Sequence, residues 1–255
     1  MDVEGPAELT LLGGWQLRVG GTVHPMGVRQ QRLLAALAVF GPRSRRFLAG
    51  RLWPECTEDH ALGSLRAAVF TVSRRLPGLL VCSGSDLRLG DAVDVDLYRL
   101  RRALASTVFE TAVADPWWFA SASSADLLPG WYDDWVVTEQ RRLHDLYLTA
   151  TECLAETALA RDDHFHARHL AEVARSIDPL RESATGILIR AHLAMDNEAT
   201  ALAIFHEYAA VLADELGARP SPHIVELVTS VGLRFPSGPG PGFSAAGQHQ
   251  LPMTT

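Results

Sequence analysis

Between His60 and Leu76 the stretch HALGSLRAAVFTVSRRL admits one regular structure. Leu62, Leu65, Val69, Val72 and Leu76 step by three, four, three and four residues, which sets them on one stripe of a helix. The opposite stripe runs His60, Ser64, Ala67, Thr71, Arg74, with Arg75 beside it and Phe70 on its flank. Thr57 is the expected N-cap, and Glu58 and Asp59 suit the positive end of the helix dipole. Pro77-Gly78 ends it. On its own such a helix is only amphipathic, with one solvated face. Its neighbours give it a role.

Glu8–Leu12 and Trp15–Val19 alternate as strands, and Gly20-Gly21 turns into a third, Thr22–His24. Arg29–Phe40 reads as a helix stopped by Gly41-Pro42. Ser44 caps a second helix, Arg45–Leu52, which must end before Pro54. After the third helix, Leu79–Cys82 and Leu87–Leu89 form a hairpin around Ser83–Asp86, and Val95–Ala105 resumes a helix. Strands, three helices and a hairpin are the plan of a winged helix-turn-helix with an extra N-terminal sheet. That plan aims the third helix at a major groove and the hairpin tip at the backbone or a minor groove.

The candidate contacts follow from this placement. Arg45 and Arg46 open the second helix, where side chains and free N–H groups together suit phosphate. Thr71 suits a base edge, Ala67 or Phe70 a thymine methyl, and Arg66 and Arg74 either bases or phosphates. Ser64, Arg75 and, on the hairpin, Arg88 complete the DNA-contacting set.

Charge agrees with this. The net −7 conceals 14 arginines against 10 acids over residues 1–105 and 9 against 20 over the rest, with no lysine anywhere. A basic front and an acidic back fit a nucleic-acid module joined to a protein-contacting one. Cys56, Cys82 and Cys153 have no paired spacing, so neither a disulfide framework nor a zinc site is expected. No apolar run is long enough to span a membrane and the first residues are unlike a signal peptide, so a cytoplasmic protein is expected.

Ser106–Ser124 reads as a linker, with Trp117-Trp118-Phe119 expected to pack across a domain boundary. From Asp133 the pattern is helical throughout. Leu159-Ala160 recurs as Leu193-Ala194, Asp162 as Asp196 and Ala167 as Ala201, all at the 34-residue tetratricopeptide period. Paired helices of this kind leave a face for protein partners. The tail from Pro236 reads as disordered. The chain carries no Walker A, G-x-S-x-G or H-E-x-x-H motif, so no enzyme and no cofactor are expected. His164, His166 and His169, near Asp162 and Asp163, sit at a helix start that sends 164 and 166 to different sides, which argues against a metal site.

RLWPE at 51–55, ALGSLRAAV at 61–69, LLPGWYDDWV at 127–136, DPLRESA at 178–184 and ADELGARPSP at 213–222 carry a resemblance. With these segments the chain resembles the SARP-type bacterial regulators (Streptomyces antibiotic regulatory proteins) from about Leu9 to Val231. Those proteins join an OmpR-like winged helix to a bacterial transcriptional activation domain of tetratricopeptide type. The resemblance implies a mainly α fold with small β elements: a winged helix-turn-helix over 1–105, a linker over 106–126, an all-α activation domain over 127–235 and a tail over 236–255. It also implies an activator that binds promoter direct repeats as a homodimer or higher oligomer and recruits RNA polymerase holoenzyme, often for a secondary-metabolite gene cluster. Relatives often carry more arginine late in the recognition helix, in patterns like LRSALWRLRR. Here Thr71 and Ser73 stand where arginine is frequent, so weaker or more oligomer-dependent DNA binding is expected. The alternative is an interaction or regulatory protein that keeps the winged helix with weak or lost promoter binding.

Overall fold

The structure is a computed structural model that describes residues 5–105 and 126–229. The linker over 106–124, its aromatic cluster and the tail lie outside those residues. Packing divides the chain into two units, residues 1–154 and 155–255.

In the first unit, β1 (Ala7–Thr10) pairs antiparallel with β2 (Gln16–Val19), which pairs with β3 (Thr22–Val23). Alternation sends Ala7, Leu9, Leu17 and Val19 inward. α1 (Val28–Phe40) buries seven consecutive residues, Leu33 to Val39, because it is enclosed on every side. β4 (Arg43–Ser44) leads into α2 (Arg45–Leu52), where the Phe47 N–H donates to Ser44 Oγ at 3.2 Å, the expected cap. α3 (Glu58–Arg75) packs against α1 and α2 through Ala61, Leu65, Ala68, Val69 and Val72. Thr57 stands at its N-cap but makes no side-chain bond; only its carbonyl accepts, from the Ala61 N–H at 2.9 Å.

β5 (Leu80–Ser83) and β6 (Asp86–Leu89) close the hairpin with Ser83 opposite Asp86. The two-residue turn is possible because Gly84 takes φ 59°. Two strands add to the expected plan. β4 pairs with β6, giving the order β4-β6-β5. β7 (Val93–Val95) lies parallel to β1, giving β3-β2-β1-β7. α4 (Asp96–Ala105) then begins with a clasp on the sheet. The Asp96 carboxylate accepts the N–H groups of Leu11 at 2.9 Å, Leu12 at 2.9 Å and Leu97 at 2.7 Å.

This core does not stop at residue 105. Leu128 N–H donates to Leu11 C=O at 2.8 Å, and Leu127, Leu128, Trp135, Val136 and Leu143 are buried in the same cluster as the winged helix. α5 (Asp134–Ala160) starts here, with the Trp135 ring tilted against that of Phe40 at 5.7 Å between centroids and Glu139 ion-paired to Arg101 at 2.5 Å. Residues 127–154, assigned by sequence to the second domain, therefore pack in the first unit. The cause is plain: LLPGWYDDWV offers apolar side chains that the winged-helix core takes up.

The second unit holds α6 (His164–Ile177), α7 (Glu182–Ala194), α8 (Glu198–Leu216) and α9 (Pro222–Thr229). The 34-residue recurrence is physical. Asp162 and Asp196 both take a left-handed backbone, φ 59° and 57°. The bonds Asp162 N–H to Leu159 C=O and Asp163 N–H to Ala158 C=O recur as Asp196 to Leu193 and Asn197 to His192. Leu170, Ala171 and Ala174 are buried, as are their counterparts Ile204, Phe205 and Tyr208. Ile189 is fully buried as well. Asp163 caps α6, accepting from the His166 N–H at 3.2 Å while its other oxygen lies 2.7 Å from His166 Nδ1. Among the described residues no His, Cys, Asp and Glu group is placed to hold a metal. No described helix is long and apolar enough to cross a membrane.

Candidate nucleic-acid interface

β4 fastens the start of α2 to the hairpin. The Arg45 N–H donates to Ser85 C=O at 3.0 Å, and the Arg45 guanidinium reaches Cys82 Sγ at 3.4 Å. The α2 N-terminus and the wing tip are thus one piece of structure, and Arg45 is half-buried between them. Of the first three N–H groups of α2, Arg45 donates to Ser85 and Phe47 to Ser44. Among the described residues the Arg46 N–H has no protein acceptor, and it is the group of the three open to an anion.

The Arg46 side chain is less free than the sequence implies. It forms an ion pair with Glu58 in the first turn of α3, and that hydrogen bond pushes the guanidinium further above its ordinary value. Arg88 turns away from the hairpin tip. It grips Asp91 with both guanidinium nitrogens, at 2.5 and 3.0 Å, and bonds the Leu89 carbonyl at 3.2 Å. In return the arginine holds the Asp91 carboxyl below its usual range. Arg88 lines a cleft of about 630 Å³ at the base of the hairpin, with Leu37, Pro42, Tyr98 and Arg102.

The exposed face of α3 is what remains for a base edge. Arg66, Ala67, Phe70, Ser73, Arg74 and Arg75 are exposed, while Ser64 and Thr71 are half-buried. The face centres on Phe70, which leaves 65% of its surface to solvent. Thr71 departs from expectation, since its hydroxyl donates to the Ala67 carbonyl at 2.9 Å and so has no proton to offer a base. The helix is electrically divided, with Glu58 and Asp59 in its first turn and Arg74 and Arg75 in its last. Phosphates are therefore repelled from its start and attracted to its end. Sequence alone missed β4 and the two carboxylates that occupy Arg46 and Arg88. The spacing of Arg88 and Asp91, three residues apart, was the one available signal.

A winged helix with a solvent-facing third helix, followed by tetratricopeptide-like helices, is the architecture of a transcriptional regulator. The family model described as the bacterial transcriptional activator domain matches residues 99–231, and the chain belongs to that family. Family and fold together are those of the SARP-type transcriptional regulators, a non-enzymatic family. Among solved structures, Mycobacterium tuberculosis EmbR, in complex with a low-affinity phosphopeptide, is similar at TM-score 0.70 and 23% identity, over 89% of this chain. The chain spans 65% of the length of that EmbR chain. The likeness supports the mainly α fold with small β elements. No curated protein matches at a significant level.

Proposed function

We propose that this chain is a transcriptional activator that binds double-stranded promoter DNA in a sequence-specific manner and recruits RNA polymerase holoenzyme to it. It does so in the cytoplasm, as a homodimer or higher oligomer on direct repeats, for a secondary-metabolite gene cluster. The observation that carries the reading is the α3 face, where Arg66 and Arg74 flank Phe70 beside a hairpin fastened to α2. Arg45, Arg46, Arg75 and Arg88 serve the phosphates, and Ser64, Ala67 and Thr71 border the base-reading surface. Arg46 and Arg88 must exchange a carboxylate for a phosphate to do so, which lowers their net contribution. The acidic second half takes the polymerase contact.

In vitro transcription with purified holoenzyme, on a fragment from the protein's own genomic neighbourhood, tests this. Added protein should raise the transcript. Arg74→Ala should abolish the rise while leaving the circular dichroism melt unchanged, because Arg74 is exposed. A collapsed melt would place Arg74 on the wrong face of the helix. The occupied state of Arg46 favours a second reading, an interaction protein with weak or lost promoter binding. Transcription unaffected by the protein, with intact folding, would select that reading.

A further inference from the structure

Along Ala67, Phe70 and Thr71 the α3 face offers no free hydrogen-bond donor. Ala67 and Phe70 are exposed and have none, and Thr71 spends its proton on the Ala67 carbonyl at 2.9 Å. Thr71, half-buried, keeps an oxygen that can only accept and carries a methyl group beside it. Donors appear about one turn to either side, in Arg66 and Arg74, four residues from Phe70 in each direction, and in the exposed Ser73, three residues from it. Four residues of helix rise about 6 Å, or roughly two base-pair steps.

The four bases differ in what they ask of such a surface. Guanine shows two acceptors in the major groove and needs donors; adenine shows an acceptor and a donor; cytosine shows a donor. Thymine alone presents an apolar group, its C5 methyl. A guanine set against Ala67, Phe70 and Thr71 would lose water from N7 and O6 and gain nothing in exchange. A thymine methyl there would cover a ring that the rest of the protein leaves 65% exposed. The guanidinium groups at the two ends suit guanine O6 and N7.

Resting on the DNA-binding reading above, we propose that Phe70 is a specificity-determining residue. It selects half-sites with thymine methyls at the centre, packed against Phe70, Ala67 and the Thr71 methyl, and guanines within about two base pairs on either side. Recognition at the centre is by methyl contact and not by hydrogen bonds.

The test starts from a pool of duplexes with a randomised core, selected with the full chain. Each thymine of the selected duplex is then replaced by deoxyuridine, which deletes the methyl and keeps the pairing edge. Replacing a central thymine should weaken binding roughly fourfold, the worth of one buried methyl-sized group. Thymines outside the core should show no change. Phe70→Ala should bind thymine and deoxyuridine duplexes alike, Phe70→Leu should keep part of the preference, and both should retain the wild-type circular dichroism. Equal affinity for central thymine and deoxyuridine in the wild type would overturn the proposal while leaving sequence-specific binding intact. A pool with no enriched sequence would overturn the DNA-binding reading and this one with it. If Phe70→Ala instead dissociates a free dimer in sedimentation and keeps the thymine preference, Phe70 is a protein contact and the proposal falls.

Discussion

Removing the Asp96 carboxylate should loosen the first unit far more than an exchange at a helix start usually does. Its two oxygens accept three backbone N–H groups, of Leu11, Leu12 and Leu97, at 2.7 to 3.0 Å. Leu11 is fully buried and Leu12 half-buried, so in Asp96→Ala water cannot readily replace the lost acceptor at either. An orphaned buried donor costs about 1–3 kcal/mol, which makes about 2–5 kcal/mol for the pair after partial relaxation. For a unit of this size that lowers the melting temperature by roughly 5–15 °C. Asp96→Asn keeps one acceptor oxygen but turns an NH2 group towards a donor, and should recover only part of the loss. Tryptophan fluorescence isolates the effect, because all six tryptophans precede residue 155. A loss below about 1 kcal/mol in Asp96→Ala would refute the reasoning, since even one orphaned donor should cost more.

Other outcomes follow from the charges. Glu58→Gln releases Arg46 from its ion pair, so DNA affinity should rise several-fold and the salt slope should steepen by about 0.9 for the phosphate gained. Anisotropy titrations at several salt concentrations check both. In α7, burial holds the His192 imidazole below its ordinary value, the Arg168 charge adds to this and Glu172 opposes it. The unfolded chain then binds the proton more readily. The stability that His192 contributes is complete above the ordinary histidine value of about 6.5 and is lost as the pH falls through the depressed one. The helical melt of wild type should drop on acidification from pH about 7.5 to about 5.5 by more than that of His192→Gln. An equal drop would show that burial does not tax the charged form.

What sequence revealed was set by the range of the interactions. The α3 stripe, the Ser44 cap and the bounds of α2 depend on neighbours a few residues away, and they are found as expected. The 34-residue recurrence was visible because Leu159-Ala160, Asp162 and Ala167 return as Leu193-Ala194, Asp196 and Ala201. β7 and the Asp96 clasp were not visible, since each joins residues more than 80 apart. That residues 127–154 pack with the first unit was not readable, because the pattern of a helix names its apolar face without naming the core that receives it. At the candidate site, residue types and exposure were readable. The carboxylates holding Arg46 and Arg88 and the inward bond of Thr71 were not, because they depend on which rotamer each side chain takes.

Binding measured against salt tests the central claim most directly. The observed affinity for a fragment from the protein's genomic neighbourhood is compared with that for a scrambled duplex of equal length. Phosphate engagement through Arg45 and Arg75, with smaller contributions from Arg46 and Arg88, predicts a linear fall of log affinity with log salt, with a slope near −0.9 per phosphate contacted and about −2 to −4 for each protomer. The preference for the genomic fragment should persist across the series. No sequence-dependent binding even at the lowest salt would contradict the account.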